Sequence, residues 1–242
     1  MRIDVLTLFP EMFAPILGGS ILKRAQDKGL ASYHVHQLRD YTKDPHRKVD
    51  DRPFGGGPGM VLMCQPVLDA VAAIEGADPA PTTRILLAPT GRKFSQPLAE
   101  ELSRLPRLLL IAGHYEGFDE RIHELRQPRE ISVGDFILSG GEIPAMLLLD
   151  AVVRLLPGVL GDSLSSHGES FGNADETIQG GLEYPHYTRP REYAGLSVPD
   201  ILLSGDHGKV EQWRREQAQK RTAERRPDLL REAREGNQRT VD

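Results

Sequence analysis

Five short runs of branched and leucine-rich residues, at 2–9, 31–37, 84–88, 107–112 and 129–133, are each bounded by Gly, Pro or polar positions. Short runs bounded in this way read as buried strands. Between them, Pro66 to Ile74, Ser95 to Ser103 and Glu142 to Leu156 repeat apolar residues at helical spacing. Strands alternating with helices require crossover connections. The expected fold is therefore α/β, a mostly parallel sheet with helices on both faces. After Pro157-Gly158 the pattern stops. Residues 161–181 are rich in Ser, Gly, Asp and Glu and aperiodic, as in a flexible linker. Residues 182–242 lack strand-like runs and predict a turn-rich entry followed by helices near 207–222 and 226–235. The expected division is an α/β domain at 1–160, a linker at 161–181 and a small all-helical domain at 182–242.

Charge separates these parts further. The net charge is −5, which argues against indiscriminate coating of nucleic acid. Residues 201–242 nevertheless hold ten Lys and Arg against eight Asp and Glu, while residues 1–200 hold 20 against 27. On a helix, Arg214, Arg221 and Arg225 share one stripe, which suits phosphate contacts or a solvated face equally. No apolar run approaches the roughly 20 residues that span a bilayer, and the amino terminus reads as a first strand, so the expected location is cytoplasmic. Cys64 is the only cysteine, which excludes an intramolecular disulfide and a thiolate zinc cluster. His34 and His36 would share a strand face, but with no evident third ligand they read as ordinary histidines.

Two sets of glycines point to a ligand. Asp50-Asp51-Arg52-Pro53-Phe54-Gly55-Gly56-Gly57-Pro58-Gly59-Met60 has a composition no packed core needs, and His46-Arg47 lies just upstream. Glycines allow positive φ and close backbone approach, while prolines stiffen the loop. Neither the P-loop pattern nor the dinucleotide fingerprint occurs anywhere in the chain. The second set is three loops that each follow a predicted strand: Leu86-Leu87-Ala88-Pro89-Thr90-Gly91, Gly113-His114-Tyr115-Glu116-Gly117 and Val133-Gly134-Asp135-Phe136-Ile137-Leu138-Ser139-Gly140-Gly141. The carboxyl ends of parallel strands are where open α/β sheets bind ligands. Three such loops would converge there, offering bare amides and carbonyls to a purine edge.

These segments, with Val133 through Pro144 and Pro185-His186-Tyr187-Thr188-Arg189-Pro190, closely resemble the bacterial tRNA (guanosine-37, N1)-methyltransferases. The resemblance runs from Leu8-Phe9-Pro10-Glu11-Met12-Phe13 to Arg221 through Leu229, nearly the whole chain. It implies a deep trefoil knot, which no periodicity could show and which general topology disfavours. It also implies S-adenosylmethionine as cofactor, held by the loops beginning at Leu86, Gly113 and Val133 and by Pro144, in a homodimer whose interface completes the site. tRNA would meet His46, Asp50, Arg52, Gly55, Gly56, Gly57, Pro58, Gly59 and Arg189, with Arg214, Arg221 and Arg225 on phosphates. The resemblance further implies a magnesium requirement, for which no carboxylate cluster offers a place.

Guanine N1 carries a proton at neutral pH, so its methylation needs a general base, and charge growing on O6 needs a donor. By resemblance Arg154 serves the O6 charge, although an ion pair with Asp150 one helical turn away is compatible with the same sequence. The family's base is the aspartate of an Asp-Ser-Phe-like triplet; here that triplet is Glu169-Ser170-Phe171. Glu169 is favoured as the base. Asp175, at the expected distance before Pro185-His186-Tyr187, is the alternative. Rival readings are a nucleotide hydrolase using the Gly55–Gly59 loop, a non-catalytic tRNA-binding protein, and a methyltransferase acting at another base or position.

Overall fold

A computed structural model describes residues 1–160, 169–172 and 180–230. The chain divides into two compact units, Met1–Leu160 and Gly161–Asp242. In the first unit the elements are β1 Arg2–Thr7, α1 Ala14–Leu17, α2 Ser20–Asp27, β2 Ser32–Gln37, β3 Asp50–Asp51, β4 Val61–Leu62 and α3 Cys64–Gly76. They continue with β5 Thr83–Lys93, α4 Gln96–Ser103, β6 Arg107–Ala112, α5 Arg121–Arg126, β7 Arg129–Ser132 and α6 Glu142–Val153.

Five of these strands form one parallel sheet in the order β2-β1-β6-β5-β7. Successive residues of a strand point to opposite faces, and both faces are covered. Leu108 and Leu110 of β6, with Ile3, Val5 and Ile85, meet α2, α4 and α6 through Leu22, Leu98, Leu102 and Leu148. Leu109 and Ile111 point the other way, toward Val67, Val71 and Ile74 of α3 and Ile122 of α5. Burial of all six β6 side chains explains why its sequence shows no polar alternation.

Two boundaries differ from the sequence expectation for physical reasons. β5 runs well past Ala88, because its ladder with β7 shifts register between Leu87 and Arg92 and then resumes. Ala88 to Gly91 therefore lie in an irregularity within a strand, not in a loop after it. α6 ends at Val153, and Leu155 and Leu156 form turns before Pro157, whose ring disfavours helical backbone at the preceding residue. His36 does have a carboxylate within reach, since its Nε2 lies 3.0 Å from Asp4 across the β1–β2 pair. Arg2 and Arg107 already occupy that carboxylate, and no group of three metal-ligating side chains exists among the described residues.

The second unit holds α7, His207–Arg225, whose Asp206 N-cap accepts from the Lys209 amide. Ala218 and Thr222 are its buried positions, and the Thr222 hydroxyl accepts from the Leu182 amide. Residues 227–230 begin a further helical turn; the rest of the helix expected at 226–235 lies outside the described residues. This unit is not all helical. β8 Glu192–Tyr193 and β9 Leu196–Ser197 pair antiparallel about Ala194 and Gly195, both at positive φ (51° and 80°). Two-residue strands are too short to show a period, so their sequence carried no strand signal.

Candidate active site

The three predicted loops converge. A cavity of about 220 Å³ at the carboxyl ends of β6 and β7 is lined by Leu87, Ala88 and Pro89 from the irregular stretch within β5. Gly113, Tyr115, Glu116 and Gly117 come from the second, and Val133, Gly134, Phe136, Ile137, Leu138, Gly140 and Gly141 from the third, with Pro144 of α6. Leu86, Gly91 and Asp135 do not line it. Leu86 is fully buried in the sheet. Gly91, within β5, packs against β7, where a Cβ would fall against the Ile131 amide nitrogen. Asp135 is exposed beside Lys93, 3.7 Å away.

Close backbone approaches hold the loops together. The Gly141 amide donates to the Gly113 carbonyl at 2.7 Å. A Cβ on Gly141 would sit 2.7 Å from the Gly113 nitrogen and 2.8 Å from the Ala112 Cα, backbone atoms that cannot swing aside. Gly117 has φ +117° and no neighbouring atom within 4 Å of a Cβ position, so the wall is open there. Between these glycines Tyr115 adopts φ +62°. A non-glycine residue in that region costs of order 1–3 kcal/mol and persists only where its surroundings enforce it.

The Gly55–Gly59 loop and the Gly113–Gly117 loop, far apart in the sequence, are joined in the structure. β3 and β4 form a hairpin whose return arm runs along the second cavity loop. The Glu116 amide donates to the Met60 carbonyl at 3.0 Å, and Leu62 and Gly117 are linked at 2.9 Å. A Cβ on Gly59 would fall 2.2 Å from the Glu116 carboxylate. The absence of a side chain at Gly59 is what lets that carboxylate lie against the hairpin. Asp50 is half-buried in β3, while His46, Arg52 and Gly55 to Gly59 are exposed.

His114 and Glu142 were not singled out. The Glu142 carboxylate is buried at the start of α6 and accepts from the buried Thr7 hydroxyl at 2.8 Å. Its other oxygen faces His114 Nδ1 at 3.7 Å, within ion-pair range but too long for a hydrogen bond, so that nitrogen is buried without a hydrogen-bonding partner. His114 also lines a second cavity of about 190 Å³ with Phe9, Met12, Ser139 and Ile143. The available signal was an acid opening an otherwise apolar helix, Glu142-Ile143-Pro144-Ala145-Met146-Leu147-Leu148-Leu149.

A family model described as tRNA (guanine-1)-methyltransferase TrmD matches residues 1–232. The chain belongs to this family. Proteins named tRNA (guanine-N(1)-)-methyltransferase are similar along nearly their whole length. That of Rhodopirellula baltica is 52% identical over 98% of this chain and 97% of its own. That of Bacillus subtilis is 52% identical over 96% and 93%, and that of Dehalococcoides mccartyi 51% over 95% and 90%.

The remaining residues singled out from the sequence fall in both units. Arg154 caps the carboxyl end of α6 in the first unit. Glu169 lies in the second, half-buried in a turn in which the Gly172 amide donates to its carbonyl. The Ser170 hydroxyl accepts from the Glu183 amide, and the Phe171 amide donates to the Gly181 carbonyl at 2.7 Å. The triplet is thus fastened to the strand of chain entering the helical region. Asp175 lies outside the described residues. On α7, Arg214 stacks over Tyr184 at 4.8 Å, whereas Arg221 donates to the Glu183 carbonyl at 3.2 Å. Arg189 and Arg225 are exposed.

Proposed function

We propose that this chain transfers the methyl group of S-adenosylmethionine to N1 of guanosine 37 in tRNA, acting as a cytoplasmic homodimer. The observation that carries this reading is the convergence of two glycine-rich loops and the irregular stretch of β5 on one cavity, whose edge holds Glu116 against the hairpin of β3 and β4. The residues fit the cofactor. Backbone amides and carbonyls of Gly113, Leu138 and Gly140 suit a purine edge, Leu87, Ile137 and Pro144 supply apolar walls, and Glu116 favours a cationic sulfonium. When bound, the cofactor supplies an electrophilic methyl group. Gly59 and Arg52, joined to the same edge, face the guanosine or its neighbours.

Glu169 would take the proton from guanine N1, leaving that nitrogen able to accept the methyl group the cofactor would supply. Arg154 offsets the charge that grows on O6. A glutamate is one methylene longer than the family's aspartate, and an ångström of misplacement can cost about a hundredfold, so the fastened Glu169-Ser170-Phe171 turn sets the carboxylate's position. The half-exposed Ile143 and Leu147 on α6, with Met12 and Ile16, suit an interface with a second copy. The close approaches of Gly141 to Gly113 and of Gly91 to Ile131 suit a threaded chain of the kind the family's knot requires.

The test is mass spectrometry of an unmodified tRNA transcript incubated with isotopically labelled cofactor, which reports substrate, base and position together. Labelled 1-methylguanosine at position 37 is the expected product. A label at another base, or none, overturns the assignment. In the same assay Glu169→Gln is expected to abolish transfer while cofactor remains bound. Wild-type turnover in Glu169→Gln with loss in Asp175→Asn would move the base to Asp175.

A further inference from the structure

Phe54 is the most exposed large apolar residue of the protein among those described, with its side chain fully in water. The position is built. The Gly56 amide donates to the Pro53 carbonyl at 3.3 Å and Gly55 has φ +85°. That is the arrangement of a tight turn with Phe54 at its first corner and glycine at the second, where positive φ is required. No atom lies within 4 Å of a Cβ position on Gly55, Gly56 or Gly57. These glycines therefore serve backbone shape and clearance around the ring, not packing. The far arm of the same loop is fastened to the cavity through Gly59, Met60 and Glu116.

We infer that Phe54 stacks on an unstacked base of the RNA strand next to the methylated guanosine, holding the strand open so that the target base can enter the cavity. The inference rests on the tRNA reading above. Phe54 stands five positions before Gly59, so an extended chain limits its Cα to about 17 Å from that of Gly59 at the Glu116 edge. Stacked nucleotides rise roughly 3.4 Å each along a strand, and that reach covers the immediate neighbours of the target. The surroundings suit RNA better than protein. Apart from Phe54 the exposed tip is glycine and proline flanked by Arg52, which makes no ion pair with any described residue. One ring among glycines gives no apolar patch of the size a protein interface needs. A base offers a flat π face, and an enzyme acting on a base must take it out of the stack and fill or prop the gap.

The experiment uses the full chain and tRNA transcripts carrying 2-aminopurine on the 3′ or the 5′ side of position 37. With wild-type protein and a bound non-reactive cofactor analogue, fluorescence at one of the two positions should change on binding. Phe54→Ala should lose that change and lower kcat/KM for tRNA by roughly 5- to 150-fold, leaving the KM for cofactor and the melting temperature unmoved. Phe54→Tyr should keep both properties. Phe54→Leu, apolar but without a π face, should lose both. Leucine equal to phenylalanine, or unchanged fluorescence at both sites, would overturn the stacking role. A shift in oligomeric state in Phe54→Ala would assign the ring to a second copy of the chain instead. Failure of wild-type protein to methylate any tRNA would sink the parent reading separately, since the fluorescence comparison does not depend on turnover.

Discussion

A buried network of charged groups lies at the opposite end of the sheet from the cavity. Arg107, fully buried at the start of β6, donates to Asp4 at 3.0 Å and to the carbonyls of Ile74 and Asp78 at 2.6 and 2.8 Å. It thereby ties the start of β6 to the last turn of α3 and to the segment just after it. Burial pushes the Asp4 carboxyl up, but hydrogen bonds from His36, Arg2 and Arg107, with the Arg107 charge, outweigh it and hold the group far below the usual carboxylate range. A buried cation stripped of its partner is expensive, so Asp4→Asn should cost about 3–5 kcal/mol of stability at neutral pH. A carboxyl whose folded pKa is depressed stabilises above its unfolded value, near 3.9, and loses that contribution as pH falls toward the folded value. Wild-type melting temperature should therefore drop below about pH 4, with a shallower acid slope in Asp4→Asn. Thermal melts at neutral and acidic pH decide this, and coincident curves for the two proteins would refute it.

Among the elements, the legible parts were those whose signal is local. Strand β6 was read to the residue because both its faces are buried and no polar position interrupts it. The cavity was legible because glycine at Gly113, Gly117, Gly134, Gly140 and Gly141 has no other local purpose. What the sequence did not carry were pairings made at a distance. Glu116 lying against Gly59, and Glu142 between Thr7 and His114, join residues dozens of positions apart. The β8–β9 hairpin failed for the opposite reason, having too few residues to show any pattern. Gly141 tests the element scale directly. Its φ of −82° suits any residue, so Gly141→Ala suffers only from crowding against the backbone of Gly113 and Ala112. Overpacking of that kind costs typically about 1–3 kcal/mol, and it would push α6 away from the loop that carries Glu116. Calorimetry should show a lowered melting temperature and weakened S-adenosylmethionine binding together. A variant that binds cofactor as wild type does would show that the 2.7 Å approach is not needed to shape the cavity.

For the whole molecule, charge and chemistry are divided between two units. The chain as a whole is acidic, so attraction for a polyanion must come from local clusters of cations, and α7 holds six Lys and Arg against three Glu. Its arginines are not equivalent. Arg214 is exposed with its guanidinium over the Tyr184 ring, a placement that orients the group while leaving its donors to solvent or a phosphate. Arg221 is half-buried and donates to the Glu183 carbonyl, tying α7 to the segment that fastens Ser170. Neutralising a phosphate releases counterions, and each such contact adds nearly one to the slope of log affinity against log salt. Arg214→Ala should therefore weaken tRNA binding at ~50 mM salt, lessen the loss seen on going to ~200 mM, and flatten the slope by about one. Arg221→Ala should mainly lower thermal stability and leave the slope nearer that of wild type. Equal slopes for wild type and Arg214→Ala, measured by filter binding across that range, would remove Arg214 from the phosphate contacts and leave its stacking on Tyr184 as a packing role.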